Sequence, residues 1–267
     1  MLASAFLHAG WNALVAGARD THATSAIALV AGTVAFAPVA ALTWRVDAAA
    51  VPYIAASAVL ELAYFALLAA AYARADYTFV YPVARGTAPV LVLVISVTAL
   101  GAAVGAAAAA GVLAVAVGVL LVRGVGTGAP GRQAIVLALG VGGCIAGYTL
   151  IDDRGVTHAA AMPYFETVLV ASTIPFVAAV AVLRGPGALR AAANRRSVAA
   201  GVGMVGAYLL VLEALERAEA APVAALRETS VLIAAAGAAV AGRERVPPRR
   251  LAGAALVVAG IAAIALG

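Results

Sequence analysis

Residues 77–89 read Tyr-Thr-Phe-Val-Tyr-Pro-Val-Ala-Arg-Gly-Thr-Ala-Pro, inside an apolar run long enough to cross a bilayer. A charge at mid-membrane costs about 2.5–3.5 kcal/mol on insertion scales, so Arg85 requires a buried partner or a wet cavity. Pro82 and Pro89 each remove a backbone donor, and Gly86 adds backbone freedom between them. The stretch therefore predicts a broken helix carrying a buried charge and bending as a gate, and broken helices are what transporters build substrate sites from. A related run, Ala221 to Ser230, recurs in the second half and again holds an arginine, Arg227.

The surrounding chain fits that setting. Of its 267 residues 65% are hydrophobic and 11% charged, with a mean hydropathy of +1.07. Soluble domains are typically about 45–50% apolar and about 25% charged. At about 20 residues per helix, ten spans would use nearly the whole chain and leave no room for a soluble domain. The expected fold class is an all-α polytopic membrane protein.

All 17 basic residues are arginine. Without lysine the chain has neither a Walker A loop nor a Schiff-base nucleophile. A net charge of +5 and a pI near 9.8 could suggest nucleic acid, but the arginines lie in short loops between apolar runs and read as topology signals. Cys144 is the only cysteine, which leaves no intrachain disulfide or cysteine cluster. Neither a metal nor a cofactor is expected. The N-terminal run has no basic n-region and reads as a retained first helix.

Ten apolar segments can be counted, at about 1–18, 22–44, 50–72, 76–98, 102–122, 132–151, 159–183, 197–216, 221–241 and 249–267. The glycine-rich piece from Arg123 to Gly131 divides them near the middle, and the Arg-rich connection from Arg184 to Arg196 reads as an interfacial helix. The halves echo each other. Ala9-Gly-Trp-Asn12 corresponds to Ala146-Gly-Tyr-Thr149, Ala73–Asp76 to Glu216–Glu219, and Arg85 to Arg227, at offsets of 137, 143 and 142 residues. Five spans per copy is odd, so the second copy is expected to be inverted, with units 1–125 and 132–267 enclosing a central cavity. Alternate loops hold twelve arginines on one face against three on the other, which puts the arginine-rich face in the cytoplasm and both termini outside.

Two motif matches read as packing. Gly201-Val-Gly-Met-Val-Gly206 fits a dinucleotide fingerprint but follows no strand. Gly101-x-x-x-Gly105 and Gly143-x-x-x-Gly147 read as close helix steps or the seam of a homodimer. The intramembrane polar residues say more. They comprise His8, Trp11, Asn12, Glu61, Tyr64, Tyr81, Arg85, Tyr148, Glu166, Glu213, Arg227, Glu228 and Thr229. Tyr81 and Arg85 share a helix face, as do Glu61 and Tyr64. His8 and Trp11 read equally as packing residues, Asp152 and Asp153 as a solvated span end, and Glu213 and Glu216 as snorkelling groups. For Arg85 and Arg227 the alternative is a structural salt bridge, with Glu61 neutralising Arg85. The arginine fork suits a carboxylate or phosphate. The expected substrate contacts are Trp11, Asn12, Tyr64, Tyr81, Arg85, Tyr148, Arg227 and Thr229. His8, Glu61 and Glu228 are candidates for proton handling or charge pairing, and Pro82, Gly86 and Pro89 for gating.

His8-Ala-x-Trp11-Asn12, Tyr81-Pro-Val-Ala-Arg85 with Pro89, Tyr148-Thr-Leu-Ile-Asp152, Arg227-Glu-Thr-Ser230 and Gly242-Arg-Glu244 together resemble the EamA-like drug/metabolite transporters. The resemblance implies ten helices in two inverted five-helix repeats. It also implies export of a small polar metabolite across the bacterial cytoplasmic (inner) membrane. The acidic turn after the ninth span is matched at Glu244, whereas its equivalent at Gly101-Ala-Ala-Val lacks the glutamate. The competing function is a non-transporting component such as a lipid-carrier flipping partner, and an intramembrane enzyme, which should place a nucleophile beside a base, is a third and weaker reading.

Overall fold

The structure, a computed structural model, describes residues 2–16, 18–72, 74, 77–123, 131–230, 232–233 and 248–266. Among them the chain is helical, and one isolated bridge stands in place of any sheet. The helices are α1 Leu2–Ala16, α2 Thr21–Leu42, α3 Val51–Tyr72, α4 Tyr77–Thr98, α5 Ala106–Arg123 and α6 Arg132–Gly155. They continue with α7 Ala161–Arg184, α8 Pro186–Ala192, α9 Arg195–Leu215, α10 Ala220–Arg227 and α11 Pro248–Leu266. Five stretches, within α2, the start and body of α3, α6, α7 and α9, are long and apolar enough to cross a membrane, and α1, α4, α5 and α11 contain shorter apolar stretches. Large apolar side chains point outward, among them Leu42 at 87% and Val182 at 84% exposure. In water such a surface would drive association, while in lipid it needs no cover.

Local chemistry sets the ends of these elements. Asp20 Oδ1 accepts the His22 and Ala23 amides and caps α2; Asn194 Oδ1 does the same for Arg196 and Ser197 at α9. Each cap satisfies amides that have no intrahelical partner. Gly185 ends α7 at φ +79°, ψ 155°, a region almost reserved for glycine, and Pro186 opens the short α8.

Two sequence expectations are corrected. The helix with Pro82 and Pro89 is unbroken from Tyr77 to Thr98; its neighbours supply packing that an isolated proline helix lacks. The interruption falls instead in the second half. There α10 stops at Arg227, Glu228 forms a turn, and helical backbone resumes at Thr229. Gly101 and Gly105 lie in the irregular connection 99–105, with Gly101 at φ +67°, so they form no helix-packing step.

Packing is paired. α3 packs on α6 and α7, and α9 packs on α1 and α2; α2 meets α7, α4 meets α5, α6 and α10, and α5 lies along α11. The α5–α11 contact runs backbone to backbone. A Cβ added at Gly111 would come 2.6 Å from Gly260 O, and one at Gly118 would come 2.7 Å from Gly253 O. Because the lower-numbered glycine faces the higher-numbered one, the two helices run antiparallel. α2 and α9 approach similarly, with a Cβ at Gly32 2.8 Å from Gly201 O. Loops join at one end of the bundle, where Asp47 N donates to His158 O at 3.0 Å and Ala160 N to Arg45 O at 2.8 Å.

Gly118→Ala should force α5 and α11 apart and destabilise by about 1–3 kcal/mol, as overpacking does. Gly143 has nothing within 4 Å of an added Cβ, so Gly143→Ala should be neutral or stabilise by up to about 1 kcal/mol. Thermal unfolding of the two purified variants in detergent checks both, and equal effects would remove the glycine seam as the cause.

Candidate functional site

Where the helices converge they enclose a cavity of about 50 Å³, lined by His8, Trp11, Glu61, Tyr64, Arg85, Tyr148, Phe165, Leu169, Met204, Tyr208 and Arg227. Its construction follows from helix periodicity. His8 and Trp11 on α1, Glu61 and Tyr64 on α3, Phe165 and Leu169 on α7, and Met204 and Tyr208 on α9 are pairs three or four residues apart, so each helix turns one face inward. The space admits about one water molecule, whose share of the liquid is about 30 Å³. A metabolite would require the walls to part.

The charges divide unequally. Arg85 Nη1 pairs with Glu228 Oε1 at 3.1 Å, with side chains 5% and 1% exposed. This pair joins α4 to the turn after α10. Glu61 has no cation within 4.0 Å among the described residues; Ser172 Oγ of α7 lies 3.4 Å from its Oε2 but is closer, at 3.2 Å, to Leu169 O, and the hydroxyl's one proton is shared between them. Arg227, only 3% exposed, has no carboxylate within 4.0 Å among the described residues. Its Nη2 donates to Tyr148 Oη at 3.5 Å, its guanidinium carbon lies 5.7 Å from the Tyr208 ring centre, and its Nε is unpartnered. α10 ends at Arg227, so the break in the backbone falls beside this cation.

Tyrosines wall the site. Tyr64 meets Tyr148 edge to face at 6.1 Å, Tyr148 meets Tyr208 at 5.6 Å, and Phe165 tilts onto Tyr208 at 4.7 Å. Behind them sits Asp152, and here the sequence reading is corrected. Asp152 is not a solvated span end but 1% exposed. Its Oδ1 accepts from Tyr164 Oη at 2.8 Å and its Oδ2 from Tyr208 Oη. α6 continues to Gly155, so the span end lies beyond it. Asp152 is four residues after Tyr148 and on the same face, which is the signal the sequence offers for it. Glu213 does pair with exposed Arg217, at 3.0 Å.

Of the other candidates, His8 and Trp11 line the cavity and Asn12, Thr229, Gly86 and Pro89 do not. Trp11 Nε1 donates to His8 Nδ1 at 3.3 Å, and Asn12 Nδ2 turns to His8 O at 2.8 Å, within α1. Thr229 Oγ1 donates to Leu226 O at 2.9 Å. Gly86 faces α5, where an added Cβ would lie 3.2 Å from Ala116 O; its small size serves that contact. Pro89 is buried within α4. The side chains of Tyr81 and Pro82, and the turn Gly242-Arg-Glu244, lie outside the described residues. Glu166 is 6% exposed with both carboxylate oxygens unpartnered among the described residues, and it is not among the residues that line the cavity. Phe165, Leu169, Met204 and Tyr208 escape a reading of the sequence because an aromatic or methionine in an apolar run reads first as core.

No curated protein matches the chain. One solved crystal structure of a protein superposes on 99% of this chain and 94% of its own, with a TM-score of 0.81 and 18% sequence identity; that likeness is one of fold alone. The model of the EamA-like transporter family matches residues 132–266. With the converging apolar helices and their buried, charged centre, that match makes the chain a multi-pass membrane protein belonging to the EamA-like transporter family.

Proposed function

We propose that the chain is a secondary transporter for a small polar metabolite with an anionic group, amino-acid-like or a simple organic anion, working as a proton-coupled exporter in a bacterial cytoplasmic membrane. One observation carries the reading. Arg227 is a buried cation at the cavity with a long hydrogen bond, a tyrosine face and no carboxylate within ion-pair distance among the described residues. A permanently charged fork left so in a low-dielectric site favours an anion that brings the missing charge. Arg85, already paired with Glu228, fixes that arrangement. The flipping-partner alternative needs a polar path for a headgroup across the membrane, whereas the broad groove between α1, α2 and α9 has polar residues, Asn194 and Arg195, at one end only.

The reading includes ten spans in two inverted repeats. Its support is a packing pattern in which α1 on α9 mirrors α6 on α3, and α2 on α9 mirrors α7 on α3. The seam glycines add to it: Gly111 and Gly118 recur as Gly253 and Gly260, 142 residues on, the offset that relates Arg85 to Arg227. For the proton, Glu61 is the favoured group, a buried carboxylate at the cavity with a hydroxyl partner rather than a cation.

Counterflow in liposomes across a metabolite panel should select anionic compounds. Arg227→Ala should weaken apparent affinity for the selected compound by about 10–100-fold, the range of a charge-assisted hydrogen bond, with Arg227→Lys only partly restoring it. A folded Arg227→Ala protein with unchanged affinity would reject the anion site.

Glu61→Gln should keep substrate exchange but lose its response to an imposed pH gradient. Uphill transport that still follows the proton gradient in this variant would remove Glu61 as the coupling group, and the same assay on Asp152→Asn would then examine the other buried carboxylate.

A further inference from the structure

We infer that the outer surface of α1, α2 and α9 carries a seat for an anionic phospholipid, its headgroup among arginines and one acyl chain in an apolar groove. The groove has a volume of about 940 Å³ and is lined by Leu7, Ile27, Phe36, Val198, Val202 and Gly206 among others, with Asn194 and Arg195 at one end. Leu7, Val198 and Val202 are each 40% exposed or more. Asn194 also lines an adjoining pocket of about 380 Å³ that contains Arg19, Arg196, Asp20 and Ser197. The two spaces therefore meet, apolar on one side of Asn194 and cationic on the other.

Dimensions and charge select the occupant. From Asn194 to Gly206 a helix rises about 18 Å at 1.5 Å per residue, close to one leaflet of a hydrocarbon core about 30 Å thick. The groove thus takes one chain along its length and ends where a headgroup would lie. Arg19, Arg195 and Arg196 are exposed there, and none has a carboxylate within 4.0 Å among the described residues. The one acid lining the pocket, Asp20, has its Oδ1 committed to the α2 amides. A net basic pocket beside an apolar channel matches a phosphate head on an acyl tail, and it disfavours a zwitterionic head.

The position also gives the lipid something to act on. Leu7 faces the groove while its neighbour His8 and Trp11 face the central cavity, so the wall between the two is one helix thick. Ser4 Oγ pins α1 to Ala207 O of α9 at 2.7 Å, and a chain seated below that bond props α1 against the cavity from behind.

The test uses the full chain purified in detergent, with thermal unfolding and native mass spectrometry in added phosphatidylglycerol, in phosphatidylcholine with identical tails, and in inorganic phosphate. Phosphatidylglycerol should raise Tm and remain bound, phosphatidylcholine should do so less, and phosphate should have no effect. The double variant Arg19→Ala/Arg196→Ala should lose on the order of 30-fold in phosphatidylglycerol affinity, about five-fold for each arginine. Val202→Trp, which fills the groove and leaves the arginines in place, should abolish binding of both lipids. Equal stabilisation by the two lipids, retained preference in the double variant, an equal effect of inorganic phosphate, or lipid retained by Val202→Trp would each overturn the proposal. The wild-type comparison of headgroups decides the matter even if a variant fails to fold.

Discussion

Two guanidinium groups that cannot shed their charge sit in the middle of an apolar bundle, and much of the interior is arranged around that fact. Desolvating an ion costs several kcal/mol, recovered only by good geometry and further hydrogen bonds. Arg85 recovers it through Glu228, which is why α4 lies beside the break after α10 and why residues 143 positions apart meet. Arg227 recovers less, from two tyrosines. Those tyrosines have other duties, since Tyr208 also donates to Asp152. The first half of the chain is thus tied to the second by charge, and a carboxylate is tied to a cation through a ring.

What can be read from the sequence follows the same physics. Long apolar runs interrupted by arginine loops give most of the helices with ends within about two residues of the expected ones, because burial and capping are local decisions visible in a short window. α5 starts and α6 ends four residues later than expected, and α10 stops at Arg227 inside the expected span 221–241. The buried arginines are legible because a charge inside an apolar run is costly enough to demand a partner or a polar cavity. The site of the backbone break is not legible, since proline signals a missing donor but not whether neighbours compensate. Pro82 and Pro89 stay helical, while the break arises at Arg227–Thr229, with the only nearby proline at Pro222, inside α10. Asp152 is hidden for a related reason: its distance from the end of α6 depends on three further residues of helix, and its partners Tyr164 and Tyr208 come from other helices. Partners contributed by distant helices leave no trace in local periodicity.

The cavity is small. Its volume of about 50 Å³ is far below the roughly 300–1,000 Å³ typical of small-molecule sites, and the loops holding Asp47 and His158 are clipped together by main-chain hydrogen bonds. The polar groups are assembled, but room for a small molecule is not. Tyr53 stacked on His158 at 5.6 Å reinforces the clip, so opening that end breaks ring and backbone contacts together.

The seam between α5 and α11 bears on how such a bundle can move. Side-chain contacts can be exchanged for others by changing rotamers, but backbone against backbone has nothing to exchange. At Gly111 with Gly260 and Gly118 with Gly253 the backbones meet directly, flanked by Val115, Val257 and Ile264. Sliding these helices by one residue would drive a Cβ into a carbonyl. The pair therefore resists sliding, as do α2 and α9 where Gly32 meets Gly201, and a rearrangement that enlarges the centre is cheaper for helices that meet through rings and aliphatic groups.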